Sequence, residues 1–463
     1  RLLEAIEAFG FDAEDLAWLR DEGVIGEATV AYLADFRFRG DIDGYREGDL
    51  YFPGSPILTV TGTLGEGVVL ETLVLSILNH DTAIASAAAR MVDAARTATG
   101  QGRPIIEMGG RRTHEQAAVA TARAAYLAGF GSTSNLMAGR KYGVPTAGTA
   151  AHAFTLAHDT EADAFRSQVE ALGVGTTLLV DTYDIAEGIR TAVEVAGPEL
   201  GAIRLDSGDL AEEAHKARQL LDSLGATKTR IVATSDLDEF VIAALADAPI
   251  DGYGVGTRVA TGSGHPTASM VYKLVAIADP GAAVGEPLRP VAKKSKDKAS
   301  VGGHKTPFRE YDAQGLLRAE WFLRNGSPPP GRGEQPVQVP LVRAGEVVHR
   351  PGLDEIREFA AAALDSLPTG ARSVAAGPAY LSTTDHDEER EEDTMNAQGK
   401  RGLIVVDVQN DFVEGGSLGV TGGHEVARRI SEHLAANAGD YTLIAASRDW
   451  HLGGHEDGET NGG

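Results

Sequence analysis

The sequence predicts an α/β protein: a parallel β/α barrel with polar residues at its strand ends, beside a second, β-rich layer. Three observations carry that expectation. Apolar runs spaced about twenty-five to thirty residues apart each close on a carboxylate or hydroxyl: TTLLVDTYD at Asp181, AIRLDSGDL at Asp206 and RIVATSD at Ser235. Helical stretches such as EQAAVATARAAYLAG and DLAEEAHKARQLLDSLG alternate with strand-like runs from Arg103 to about Val259, the order of a parallel sheet. A glycine-rich segment, GYGVGT from Gly252 to Thr257, follows the last run and lets backbone N–H groups approach a phosphate. Polar groups placed where buried strands end belong to the face on which a β/α barrel gathers its reacting groups.

Taken in order, residues 1–95 read as turn-rich strands (GDLYFPGSPILTVTG) and then a long alanine-rich helix, VVLETLVLSILNHDTAIASAAARMVDAA. Residues 96–262 hold the barrel pattern. Residues 263–378 return to strand-like segments punctuated by Pro and Gly, such as VYKLVAIAD and QPVQVPLVRAGEVV, and are expected to join the N-terminal strands. Residues 379–400 carry the acidic block from Asp385 to Asp393, which cannot bury itself and reads as a solvated linker. Residues 401–463 begin a fresh strand, GLIVVDVQNDF, just after Met395. The chain opens at Arg1 inside the amphipathic pattern LLEAIEAF with no capping residue and stops at NGG soon after a strand-like run, so both ends are expected to be truncations.

Composition narrows the partners. With 42 Lys+Arg against 67 Asp+Glu over 463 residues, the formal charge of −25 disfavours nucleic acid and anionic membranes. No uninterrupted apolar run reaches the roughly 18 residues that span a bilayer, and no signal peptide opens the chain, so a cytoplasmic protein without a membrane partner is expected. The absence of cysteine excludes disulfides, thiolate metal sites and any thiol nucleophile from this sequence. His114-Glu115 lacks the second histidine of a zinc motif and is assigned no metal.

The ordered segments EMGGRRTHEQAA, GFGSTSNLMAGRKYGVPTAGTAAHAF, VDTYD, IRLDSGDL and GVGT with its downstream MVYKLVAI resemble the nicotinate phosphoribosyltransferase family over residues 1 to about 375. The resemblance implies a type II phosphoribosyltransferase fold, an irregular β/α barrel beside an open-faced α/β sandwich. It implies formation of nicotinate mononucleotide and diphosphate from nicotinate and phosphoribosyl diphosphate, in NAD salvage. That reaction would be coupled to hydrolysis of ATP through a phosphorylated histidine, with Mg²⁺, in a homodimer with shared active sites. His152 matches the histidine. At VGGHK, Val301 to Lys305, a proline would be more usual before the glycine. In the family an N-terminal segment upstream of these motifs gives an aromatic residue to the neighbouring subunit's base site.

The chemistry gives the matched residues expected roles. A neutral imidazole attacks the γ-phosphoryl of ATP well, and a carboxylate on its other nitrogen steadies the developing charge, a role for Asp181 or Asp206. Departure of diphosphate leaves positive charge on the ribose, which Asp206 and Asp209 could offset, although Asp209 reads equally as a helix cap. The ribose 5-phosphate wants convergent N–H donors, which Gly254, Val255, Gly256 and Thr257 could offer with Ser235. Nicotinate's carboxylate wants a guanidinium; Arg111 and Arg204 fall at family positions facing the base and the substrate phosphates. Related nicotinamide phosphoribosyltransferases carry an acidic residue near their base where this chain has Ser134-Asn135, so Asn135 favours the acid over the amide as substrate.

The final segment, RGLIVVDVQNDFVEGGSLGV with LIAASRDWHLGG, resembles the opening third of a nicotinamidase of the isochorismatase-like hydrolases, a Rossmann-like three-layer α/β/α fold. Asp407 matches that family's catalytic aspartate, and Asp449 and His451 match two metal ligands; the third is either His455, by proximity, or a residue expected beyond Gly463. The family nucleophile is a cysteine. None is present, so an inactive hydrolase segment is expected.

Overall fold

The computed structural model describes residues 1–96, 100, 102–283, 286–295, 298–324, 336–375, 377–387, 402–406, 408, 414–415, 421–441 and 443–447. The chain divides into two compact units, Arg1–Thr384 and Asp385–Gly463. In the first unit, helices α1 (Leu2–Ala8), α2 (Ala13–Asp21) and α3 (Glu27–Ala34) precede strands β1 (Asp41–Gly44) and β2 (Leu58–Thr61). The 31-residue helix α4 (Leu64–Ala94) follows, opened by a reciprocal cap in which Thr63 and Glu66 each accept the other's backbone N–H. Its first half packs Leu70 and Val74 against Ile42 and Val342, and its second half packs Ile84, Ala87, Ala88 and Met91 into the barrel core. By length and composition α4 could also cross a membrane, contrary to the expectation from uninterrupted runs, because few charged residues break its apolar stretch.

The barrel follows as β3 (Ile105–Glu107), α5 (Glu115–Leu127), β4 (Ser132–Thr133), α6 (Leu136–Tyr142), α7 (His152–Leu156), α8 (Glu161–Leu172), β5 (Thr177–Leu179), α9 (Ile185–Ala196), β6 (Ala202–Leu205), α10 (Leu210–Ser223), β7 (Arg230–Ala233), α11 (Glu239–Ala244), β8 (Gly252–Val255) and α12 (Thr257–Ala260). The six strands pair in parallel in the order β4-β3-β8-β7-β6-β5, a curled half-barrel. Their continuous apolar runs reflect burial on both faces: Leu178, Ile203, Leu205, Ile231, Tyr253 and Val255 are fully buried. Each such side chain contributes about 1.5–3 kcal/mol. Gly201 is required where β6 begins, since a Cβ there would lie 2.2 Å from the carbonyl oxygen of Gly175.

Helices leave the strand ends by one repeated device. Asp184, Asp209 and Asp238 are the N-caps of α9, α10 and α11, each accepting backbone N–H groups of the first turn. Each lies three residues after the polar residue that closes the preceding run: Asp181, Asp206 and Ser235. The closing residue faces the strand end, and the later one holds the helix.

Beside the barrel, strand Val339–Arg343 pairs antiparallel with β1, giving a four-stranded sheet with β2 and Glu346–Val347 at its edges. The hairpin Thr306–Tyr311 and Leu317–Leu323 packs Phe308 on Trp321 with ring centroids 4.8 Å apart. In the second unit, Gly402–Val406 and Leu443–Ser447 pair in parallel, with helix Gly423–Asn437 between them in sequence, a βαβ arrangement.

Candidate active site

All six parallel strands end on one face, and the turns that leave them carry the polar groups. His152 opens α7, with its side chain 43% exposed. Its Nδ1 lies 3.2 Å from Thr182 Oγ1, while its Nε2 lies 3.7 Å from Asp206 Oδ2 and 3.9 Å from Asp181 Oδ1. Both carboxylates therefore flank one ring nitrogen and a hydroxyl holds the other, where the sequence suggested a carboxylate as the second-nitrogen partner.

The two aspartates differ in surroundings. Asp181, with a side chain only 1% exposed, accepts through Oδ2 from the Asp206 backbone N–H at 2.9 Å and from Ser207 Oγ at 2.7 Å. Its buried Oδ1 has no hydrogen-bond partner among the described residues. Asp206 accepts through Oδ1 from Thr234 Oγ1 and pairs with Arg204 Nη2 at 2.9 Å. Burial pushes the Asp206 carboxyl up, but the Thr234 hydrogen bond and the Arg204 charge outweigh it and hold the group below the usual carboxylate range. Glu161, at the start of α8, also has a buried carboxylate oxygen without a hydrogen-bond partner among the described residues. Burial first, then Asp181 and Asp184, push its carboxyl up.

Arg204 is buried and its donors are engaged: Nε donates to Thr234 Oγ1 at 2.8 Å and Nη1 to Thr149 Oγ1 at 2.7 Å, besides the pair with Asp206. It thereby ties β6 and β7 to the loop that presents His152. Ser235, two residues beyond β7, has φ 138°, a strained backbone for a serine. Asp209 is exposed, and its Oδ1 is engaged as the cap of α10.

The glycine-rich segment divides in two. Gly254 and Val255 are buried within β8, and the glycine at 254 answers to packing, since a Cβ there would meet Thr234 Cγ2 at 2.6 Å and Met108 Sδ at 2.8 Å. Gly256 and Thr257 are half-buried at the start of α12.

At the other side of the half-barrel, Arg111 stands exposed in the turn after β3. Asn135, half-buried, caps α6 by accepting the Ala138 N–H at 3.0 Å. Its Nδ2 would lie 3.9 Å from a Cβ at Gly110, so the β3 and β4 turns meet here. Because an aspartate keeps that cap, Asn135→Asp changes charge without changing the turn. With Asn135 beside the base, as the family resemblance implies, we expect nicotinate kcat/KM to fall by about 5- to 150-fold, equivalent to about 1–3 kcal/mol. Steady-state rates on nicotinate check this; an unchanged kcat/KM would place Asn135 outside the base pocket.

Sequence reasoning missed Thr149, Thr182 and Thr234, which orient His152, Arg204 and Asp206, and also the buried Glu107 and the half-buried Glu161. The three threonines sit inside motifs that were read for their charged neighbours. A cavity of about 610 Å³ lined by Tyr45, Leu78, Ala89, Leu127 and Leu364 involves none of the strand-end residues. Among the described residues no group of three metal-ligating side chains occurs. Asp407, Asp449 and His451 lie outside the described residues.

Residues 1–79 match the family model described as the nicotinate phosphoribosyltransferase (NAPRTase) N-terminal domain. The nicotinate phosphoribosyltransferase pncB1 of Mycobacterium tuberculosis (strain ATCC 25618 / H37Rv) is 55% identical over 392 residues, covering 83% of this chain and 84% of the relative. The pncB2 enzyme of the same strain is 39% identical over 383 residues, covering 81% and 79%. The crystal structure of human nicotinic acid phosphoribosyltransferase superposes with a TM-score of 0.68 at 24% identity, covering 85% of this chain and 90% of that one, and shows the same fold.

Proposed function

This chain belongs to the nicotinate phosphoribosyltransferase family of pyridine salvage enzymes in NAD biosynthesis, and from that premise we propose that its strand-end site couples ATP hydrolysis to phosphoribosyl transfer through His152. The observation that carries the reading is the imidazole flanked by Asp181 and Asp206 at the ends of β5 and β6. In the coupling step a ring nitrogen attacks the γ-phosphorus of ATP; the N–P bond forms as the P–O bond to ADP breaks. Asp181 and Asp206 steady the charge that the ring acquires, and Thr182 fixes its orientation. In the transfer step the nitrogen of nicotinate bonds to C1 of the ribose as the C1–O bond breaks and diphosphate leaves. The Asp206 carboxylate lowers the energy of the positive sugar. Water then releases phosphate from the histidine.

The oxygens of Asp181 and Glu161 that have no hydrogen bond among the described residues suit a hard cation, and these residues would hold Mg²⁺ together with substrate phosphates and water. Mg²⁺ there would neutralise charge on the departing diphosphate. Gly256, Thr257 and Ser235 receive the 5-phosphate on the adjoining strand ends, with Gly254 and Val255 as the strand behind them. Arg111 binds the nicotinate carboxylate, and Asn135 disfavours nicotinamide as the alternative base. Arg204 acts from beneath as the tie between Asp206 and the His152 loop, and Asp209 acts as the cap of α10. The exposed Leu136, Met137, Phe154, Leu156 and Tyr183 near these turns support a homodimer with shared sites. We read the chain as cytoplasmic, and its acidic charge disfavours nucleic acid and anionic membrane surfaces as partners. Nicotinate mononucleotide formation in the presence of ATP, compared with the same assay on nicotinamide, tests the reading; preference for the amide would overturn it.

For residues 401–463 the reading is a nicotinamidase-like segment that does not hydrolyse nicotinamide. The βαβ arrangement supports it, as does the exposure of Ile404, Val406 and Leu443 on strands that parallel sheets ordinarily cover on both faces. Removing Met395 to Gly463 is expected to leave phosphoribosyl transfer intact, and the whole chain is expected to release no ammonia from nicotinamide. Ammonia above the buffer rate, or loss of transfer on removal, would make this segment a working domain.

A further inference from the structure

Glu107 is the last residue of β3, 1% exposed, and has no part in the chemistry above. Its carboxylate joins two turns. Oε1 accepts the Gly109 backbone N–H, and Oε2 accepts the Thr133 hydroxyl at 2.5 Å. Thr133, the last residue of β4 and fully buried, in turn accepts the Asn135 backbone N–H at 2.9 Å. The Glu107 carbonyl also accepts the Ser134 N–H at 2.8 Å. One buried carboxylate therefore connects Gly109, which starts the turn to Arg111, with Thr133, which anchors Asn135. The turn at Gly109 has no slack, because a Cβ there would meet Glu107 Oε1 at 2.8 Å, Ala260 Cβ at 2.9 Å and Gly256 O at 3.0 Å. Gly110 lies against Asn135 Nδ2.

No cation among the described residues pairs with Glu107. Burial pushes its carboxyl up, and the Thr133 hydroxyl and Gly109 N–H pull in the opposite direction. A buried carboxyl without a cation is an expensive way to hold a strand end if only stability were at stake, since apolar packing would serve. What this geometry supplies is two acceptors at a fixed separation, one for each turn.

We propose that Glu107 is the positioning residue of the base pocket, its two carboxylate oxygens fixing the Arg111 turn against the Asn135 turn so that a pyridine carboxylate is held at one distance from both. The proposal rests on the reading of Arg111 and Asn135 as the nicotinate-binding pair. It places specificity on a group that never touches the substrate, acting through backbone placement, for which a displacement near 1 Å has a large kinetic effect.

The test uses the full chain and five variants. Glu107→Gln keeps size but can no longer accept from both turns, and Thr133→Val removes the hydroxyl from the middle of the link. Each is expected to raise the KM for nicotinate on the order of tenfold, with the KM for phosphoribosyl diphosphate and the labelling of His152 by ATP unchanged. Thr133→Ser restores the hydroxyl and is expected to restore the nicotinate KM. Glu239→Gln is the control for burial alone: Glu239 is 3% exposed and bonds Arg90 and Ser263, neither of which belongs to the turns carrying Arg111 and Asn135. It is expected to lower Tm without moving the nicotinate KM. A nicotinate KM unchanged in both Glu107→Gln and Thr133→Val, or raised equally by Glu239→Gln, overturns the proposal. Arg111→Lys separates the two levels. If it raises the nicotinate KM while the Glu107 and Thr133 variants do not, the positioning role alone fails; if it too has no effect, the base-pocket reading fails and the positioning role with it.

Discussion

His152→Ala is expected to abolish both the phosphoenzyme and the stimulation of transfer by ATP, while a slow, ATP-independent transfer persists. The expectation follows from the separation of groups in the site. His152 meets Thr182, Asp181 and Asp206, and of these only Asp206 is also assigned to the sugar, while the 5-phosphate is assigned to the turns after β7 and β8, so removing the imidazole leaves the groups of the transfer step in place. The imidazole is 43% exposed, so its removal leaves little cavity, and loss of activity would not arise from unfolding. Coupling and sugar chemistry should then separate kinetically. Initial rates of nicotinate mononucleotide formation with and without ATP measure it. ATP stimulation equal to that of the parent chain would remove His152 from the coupling step.

Asp206→Asn is expected to lower kcat by about 10²–10³-fold at saturating substrates, because a carboxylate facing a developing cation acts chiefly in the transition state. Asparagine retains an acceptor for Thr234 and Arg204, so the tie to the His152 loop through Arg204 and Thr149 survives. The parent carboxyl is held below the usual range by Thr234 and Arg204 against the effect of burial, and it is therefore ionised at neutral pH. Rates combined with a thermal melt check the prediction. A kcat within a few-fold of the parent, with an unchanged melt, would show that the charge is not used on the sugar.

Much of this site was legible because its residues follow buried strands. Periodicity located the runs ending at Asp181, Asp206 and Ser235, and these do stand on one face of a half-barrel. Periodicity does not distinguish two carboxylates three residues apart when one closes the strand and the other caps the helix. Asp206 and Asp209 looked alike for that reason, and their hydrogen bonds separate them. The glycine-rich segment was legible as a turn, but the need for glycine at 254 comes from Thr234 and Met108, neighbours that only the fold brings together. Arg204 illustrates the same limit. A basic residue beside DSGD suggests an anion site, yet its partners Thr149 and Thr234 lie 55 and 30 residues away in sequence. Glu107 left no periodic signal, since its link to Thr133 spans 26 residues and joins two turns that differ in composition.

The most direct test is to incubate the chain with γ-labelled ATP, map the label, and then add nicotinate and phosphoribosyl diphosphate. We predict an acid-labile, base-stable label on the peptide carrying His152, discharged as phosphate in step with nicotinate mononucleotide formation. A chain that forms nicotinate mononucleotide with ATP present but carries no label at His152, or a label that nicotinate and phosphoribosyl diphosphate do not discharge, would contradict the account.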